Sequence, residues 1–207
     1  MPSPSFPSPP PSPPAITTRT NAPKTPSPPQ LQATGPPGCF LVSLLIYNGH
    51  PFKDHWAYFV GSQKNSSLGV KVHATGSVST GFVFEIKRRH DVRTSEDIPT
   101  KIVPLAWVNG MYFDEGRMLA WGDLGPKGQR EEIIDHEPCC EFERALHKVE
   151  VPGKSLVSVD MATSEDASRR KVVQRDCQTW IVKSSEHLVR TGIFNSDVAV
   201  YLTAIQQ

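Results

Sequence analysis

The sequence predicts an α+β fold: an antiparallel sheet with helices packed on one side, in a single domain over residues 38–207. Two observations predict it. Strand-length apolar runs follow one another between Phe40 and Trp107, whereas stripes of helical period appear only after Glu141. A third observation sets the boundary. Residues 1–37 hold 14 of the 20 prolines, no acidic residue, and only Arg19 and Lys24 as charges. Such a stretch has too little apolar surface to offset the entropy of ordering, so a disordered Pro/Ser-rich tail is expected there. Its Ser8-Pro9-Pro10-Pro11-Ser12-Pro13-Pro14 favours polyproline II, which an SH3-type or WW-type partner reads; a solvated tail without a dedicated partner is the simpler alternative.

Phe40 to Tyr47 is a continuous apolar run ended by Asn48-Gly49 and Pro51, which reads as a central strand buried on both faces. His55 to Val60 is a second strand closed by Gly61, and Ser62 to Ser67 is a polar loop. Gly69-Val70-Lys71-Val72-His73-Ala74 alternates as a half-buried strand with a turn around Gly76. Phe82 to Lys87 and Ile102 to Trp107 complete the set. Residues 108–136, with five glycines and little periodicity, read as mostly irregular. In Glu141 to Val149 the residues Phe142, Ala145, Leu146 and Val149 share a helical face, and Pro152-Gly153 ends it. Residues 160–170 read as polar loop. A helix from Asp176 or Cys177 to about Arg190 carries the stripe Ile181, Ser184, Ser185, Leu188, with Gly192 as its stop; another runs from Ser196 to Ile205.

The chain sums to +1 and the tail to +2, which leaves the domain near −1 and gives no electrostatic reason to expect nucleic acid. The run Lys87-Arg88-Arg89-His90 with Arg93 reads as a solvated strand end diluted by Asp91, Glu96 and Asp97. No secretory or transit signal is readable, and Cys39 to Tyr47 is too short to span a bilayer, so no stable membrane anchor is expected. Four cysteines without such a signal argue for reduced thiols in the cytoplasm. Cys139-Cys140 lacks zinc-knuckle spacing, and although His136 and His147 are near, no metal or other cofactor is expected.

The chemistry centres on Cys177. Asp176 is a good N-cap, which puts Cys177 in a first helical turn, where free N–H groups and the helix dipole stabilise a thiolate and can hold an oxyanion. The plainer alternative is a buried free cysteine packing as a small hydrophobe. His55 starts a strand, at the exposed end, with Trp56 beside it to exclude water; taken alone it reads as a surface or capping histidine. His73 lies on the next strand. If the two strands are neighbours, it stands beside His55 and orients it; otherwise it is a half-buried histidine bonded to backbone.

His55-Trp56-Ala57-Tyr58-Phe59-Val60-Gly61, the His73 that ends Gly69-Val70-Lys71-Val72-His73, and Asp176-Cys177-Gln178-Thr179-Trp180 together resemble the circularly permuted papain-like proteins. Within that group the residues are most similar to the lecithin:retinol acyltransferase and NlpC-type branch, and to uncharacterised fungal proteins with His-Trp and Cys-Gln-Thr-Trp motifs. The resemblance covers roughly residues 39–192. It implies a papain-like fold with Cys177 as nucleophile, His55 as general base and His73 as the orienting group. Asp176 stands where the branch has Asn, and its charge opposes the helix terminus. Gln178-Thr179 stands where the acyltransferases have Glu-His, Ser62 to Leu68 lengthens the gap between the histidines, and no C-terminal membrane helix is readable.

The leading expectation is therefore a soluble thiol-dependent hydrolase or acyltransferase acting on an amide, ester or thioester of a small molecule or peptide, with Trp56 and Trp180 at the substrate site. The alternative is a non-catalytic module that binds a small molecule or peptide through Trp56, Trp180, Trp107 and Trp121. Thiol redox chemistry at Cys139-Cys140 is a third and weaker reading, because vicinal cysteines form strained bridges.

Overall fold

Alternation along the strands decides which way this domain faces. In the computed structural model residues 26–119, 132–154 and 175–207 are described. Strands β1 (Cys39–Tyr47), β2 (His55–Gly61), β3 (Leu68–Ser77), β4 (Gly81–Asp91), β5 (Lys101–Asn109) and β6 (Ile133–Asp135) form one antiparallel sheet in the order β5-β1-β2-β3-β4-β6. The helices are α1 (Glu115–Met118), α2 (Glu141–His147), α3 (Cys177–Arg190) and α4 (Ser196–Ile205). The class is α+β.

Trp56, Tyr58 and Val60 of β2 share the main core with Val42 and Leu44 of β1, Val70 and Val72 of β3, and Phe142, Ile181, Leu188 and Leu202 of the helices. Leu45 of β1 and Ala57 and Phe59 of β2 form, with Val92 just after β4, a second and smaller cluster on the other face. β1 is thus buried on both faces along its middle. Two hydrogen bonds pin α3 to the core: Tyr58 Oη donates to the Ile181 carbonyl at 2.9 Å, and Trp180 Nε1 donates to the Val149 carbonyl at 3.1 Å.

Three expectations are corrected by this architecture. Residues 26–37 are not part of a free tail: Trp107 Nε1 donates to the Gln32 carbonyl at 3.0 Å, and Leu31 and Pro36 lie along β5 beside Leu105. The tail expected over residues 1–37 otherwise lies outside the described residues. The basic run is not a solvated strand end. Arg88 and His90 are both buried. Gly69 and Val70 of β3 pair with His90 and Arg88, so Arg89 is a bulge in β4 at φ 59°, and Arg88 turns toward α2 while the His90 ring meets Phe59 on the opposite face. Within residues 108–136, mostly irregular by sequence, the described ones include a short 3-10 turn, α1 and β6. Finally, Trp56 and Trp180, expected at a substrate site, are both buried in the core, Trp56 because it shares a strand face with Tyr58. Trp107 is half-buried and Trp121 lies outside the described residues.

None of the helices among the described residues is long and apolar enough to cross a membrane.

Candidate active site

Cys177 opens α3, and the local sequence explains why the helix starts there. Asp176 Oδ1 accepts from Thr179 N at 3.0 Å and Thr179 Oγ1 accepts from Asp176 N at 3.3 Å, a reciprocal capping box. Lys53 Nζ stands 3.2 Å from Asp176 Oδ2 and offsets part of its charge. Gln178 is structural: its Nε2 donates to the Asp54 carbonyl at 2.8 Å, and its Oε1 accepts from Gln207 N at 2.9 Å. These bonds clamp the segment before β2 onto the start of α3, and so fix Cys177 beside His55.

The helix start does not produce a thiolate at rest. Burial pushes the Cys177 thiol up to about 11, and the Asp176 charge adds to it. The backbone N–H groups of Trp56, Gln178 and Cys177 pull the other way but are outweighed. The expected depression by the helix terminus is therefore reversed by desolvation.

His55 and His73 come together as the strand pattern suggests. β2 and β3 pair only from Tyr58 to Gly61 against Val72 to Gly69, and beyond Tyr58 they part. His55 lies in that splay, with its Nε2 2.8 Å from His73 Nδ1, and His73 Nε2 lies 2.9 Å from Glu85 Oε1. Glu85 is the partner that sequence reasoning missed, although a signal for it existed. The turn between β3 and β4 sets His73 directly opposite Glu85 in the register. His73 is thus held by two side chains, and not by backbone.

The chain of contacts fixes both tautomers. The hydrogen bond from His73 holds the Glu85 carboxyl below its usual range, so it is an ionised acceptor and His73 Nε2 must donate to it. Burial keeps the His73 ring below its usual value, so its Nδ1 carries no proton and accepts from His55 Nε2–H. Burial, then His73 and Lys71, push His55 down to about 3, so it is also neutral. The unprotonated nitrogen of His55 is consequently Nδ1, the one not engaged by His73.

Cys177 and His55 line the same cavity, of about 690 Å³, with Pro51, Phe52, Val78 and Phe82 as its apolar wall. They do not touch. No hydrogen bond joins Cys177 Sγ to the His55 or His73 ring, and the thiol reaches the Asp54 carbonyl at 4.0 Å. His55 also borders a second cavity, of about 300 Å³, with Tyr47, Lys71, His73 and Glu85.

Away from this site, the ligating atoms of Cys139, Cys140 and Glu143 lie within 4.8 Å of one another, a group able to hold a metal. Arg88 already fills that place with its own cation: Nη1 is 3.0 Å from Glu143 Oε1 and 3.2 Å from Cys139 Sγ. His136 bonds instead to the Phe84 carbonyl, and the His147 ring packs on Phe84.

Residues 42–195 match a family of unknown function, DUF6540, and since that is most of the chain, the protein belongs to this family. No curated protein and no solved structure matches it.

Proposed function

We propose that this member of DUF6540 is a thiol-dependent hydrolase or acyltransferase, with Cys177 as nucleophile, His55 as general base, and His73 and Glu85 as positioning residues. The observation that carries this reading is the series from Glu85 through His73 to His55, which leaves the basic nitrogen on the atom not held by His73, in a ring that shares a cavity with the thiol. The permuted papain-like form of the fold belongs to the same proposal, supported by the order His55, His73, Cys177 along the chain and by the placement of Cys177 at a helix start.

The resting pair is a neutral thiol and a neutral imidazole. With the thiol at about 11 and the imidazole at about 3, moving the proton before attack costs about 11 kcal/mol, less whatever the new ion pair returns. Proton transfer therefore accompanies attack. As Sγ bonds to the carbonyl carbon of an amide, ester or thioester, its proton passes to His55 Nδ1, and the N–H groups at the start of α3 receive the oxyanion. Glu85 stabilises the resulting imidazolium through His73. Collapse expels the amine, alcohol or thiol, which takes the proton from His55. A water or second nucleophile, deprotonated by His55, then releases the acyl group.

Turnover of a panel of p-nitrophenyl esters tests this. Cys177→Ala is expected to fall to background and His55→Asn by about a thousandfold, as for loss of nucleophile and base. Glu85→Gln is expected to lower kcat by roughly ten- to a hundredfold with little change in KM, the mark of a positioning group. Equal turnover by wild type and Cys177→Ala would end the proposal. The second reading, a binding module, is favoured by the elevated thiol and by the absence of a Cys177–His55 hydrogen bond; it predicts no Cys177-dependent turnover of any ester.

A further inference from the structure

Lys71 is the buried charge that the acyl-transfer reading leaves without a use. It lies in the middle of β3, opposite Phe59 of β2 and Lys87 of β4, and only 2 % of it is exposed. A lysine so placed normally has a carboxylate partner. Among the described residues it has neither an ion pair nor a hydrogen bond, and its contact is with an aromatic face: Nζ stands 5.0 Å from the centroid of the Tyr47 ring.

Two of the three carboxylates around it are otherwise engaged. Glu85 accepts from His73, and Glu132 pairs with Lys87 at 3.1 Å and with His90. Asp97 is exposed at the rim. Beside Lys71 a second donor is unused, since the Tyr47 hydroxyl is buried without a hydrogen-bond partner among the described residues. Both residues line the cavity of about 300 Å³, together with Thr75 and His55.

We propose that this cavity binds an oxyanion group, a carboxylate or a phosphate carried by a small molecule, with Lys71 Nζ and the Tyr47 hydroxyl as its donors. An anion there supplies the counter-charge that the buried ammonium lacks and accepts the proton that Tyr47 leaves unshared. Burial, reinforced by Lys87, pulls Lys71 below its usual value, the direction that a bound anion reverses. Burial, with Asp97 and Glu132, pushes the Tyr47 phenol up, so it keeps its proton and donates. The inference needs no reaction at Cys177. Because His55 borders both cavities, it does place the anionic part of any substrate next to the proposed base.

Amide NMR spectra of the full chain, titrated separately with sodium acetate and with inorganic phosphate, test the site without reference to turnover. Saturating shifts centred on Tyr47, Lys71 and Thr75 are expected, and whichever anion binds tighter identifies the source. Lys71→Met, which keeps the stem and removes the charge, is expected to weaken binding by about tenfold or more, the scale of one lost charge-assisted bond. Tyr47→Phe keeps the ring beneath Lys71 and is expected to weaken binding about threefold, which keeps the test open should Lys71→Met not fold. The inference is overturned if neither anion gives saturable shifts in the wild type, or if removing the charge or the hydroxyl leaves the affinity unchanged.

Discussion

Arg88→Ala is expected to destabilise the domain by about 3–5 kcal/mol, the penalty for removing one partner of a buried ion pair. Arg88 reaches across from β4 to α2 and makes five contacts from a single guanidinium. Nε donates to Asp135 Oδ2 at 2.7 Å; Nη1 and Nη2 grip both oxygens of Glu143 at 3.0 and 3.1 Å; Nη2 also donates to the Glu137 carbonyl, and Nη1 approaches Cys139 Sγ. Glu143 has no exposed surface, so without Arg88 its charge has neither solvent nor a counter-ion. Its remaining donor is Cys139 N, at 2.7 Å. Such a loss takes up a large part of an ordinary domain's stability of roughly 5–15 kcal/mol. Urea unfolding measures it. The double variant Arg88→Met with Glu143→Leu is expected to regain most of the loss, because neither charge is then left unpaired. A cost below about 1 kcal/mol for Arg88→Ala, the level of a surface pair, would contradict the account.

Acidification is the second large effect. His55 titrates near 6.5 when unfolded and at about 3 in the folded domain, and His73 is lowered in the same direction. For a base with a depressed folded value, the unfolded chain binds the extra proton. Stability is therefore complete above pH 6.5 and is lost as pH falls from there toward 3. The slope is about 1.4 kcal/mol per pH unit per histidine, so His55 alone is worth on the order of 5 kcal/mol across the window. Glu132 and Glu85, both lowered, add their own loss only below the ordinary carboxylate range. Thermal or urea unfolding between pH 7 and 4.5 isolates the histidines. His55→Gln, which still donates to His73, is expected to flatten the dependence by about one histidine's slope. An unchanged slope would mean that His55 is not buried as a neutral ring.

What was legible in the sequence, and what was not, follows from range. The boundaries of β1, β2 and α3 rest on local signals: Asn48-Gly49 after a strand, Gly61 after another, and Asp176 with Thr179 as a capping box. The side-by-side histidines were legible because strand alternation and neighbouring strands are enough to place them. The burial of Trp56 is also legible, since it alternates with His55 and shares a face with Tyr58. The 3-residue β6 has no periodicity to read. Arg88 looked solvated because its partner Glu143 lies 55 positions along the chain, beyond any local pattern. The raised thiol is illegible for a related reason. A helix start is visible in sequence, but the desolvation that outweighs it depends on how the whole core closes over Cys177.

The most direct measurement of the central claim is the mass of the intact protein after brief exposure to an acyl p-nitrophenyl ester, followed by mapping of the modified peptide. One acyl group on Cys177 is expected in the wild type, with none on Cys39, Cys139 or Cys140, and its formation is expected to slow by about a thousandfold in His55→Asn. An absence of acylation at Cys177, or acylation at the same rate without His55, would contradict the pairing of this thiol with this base.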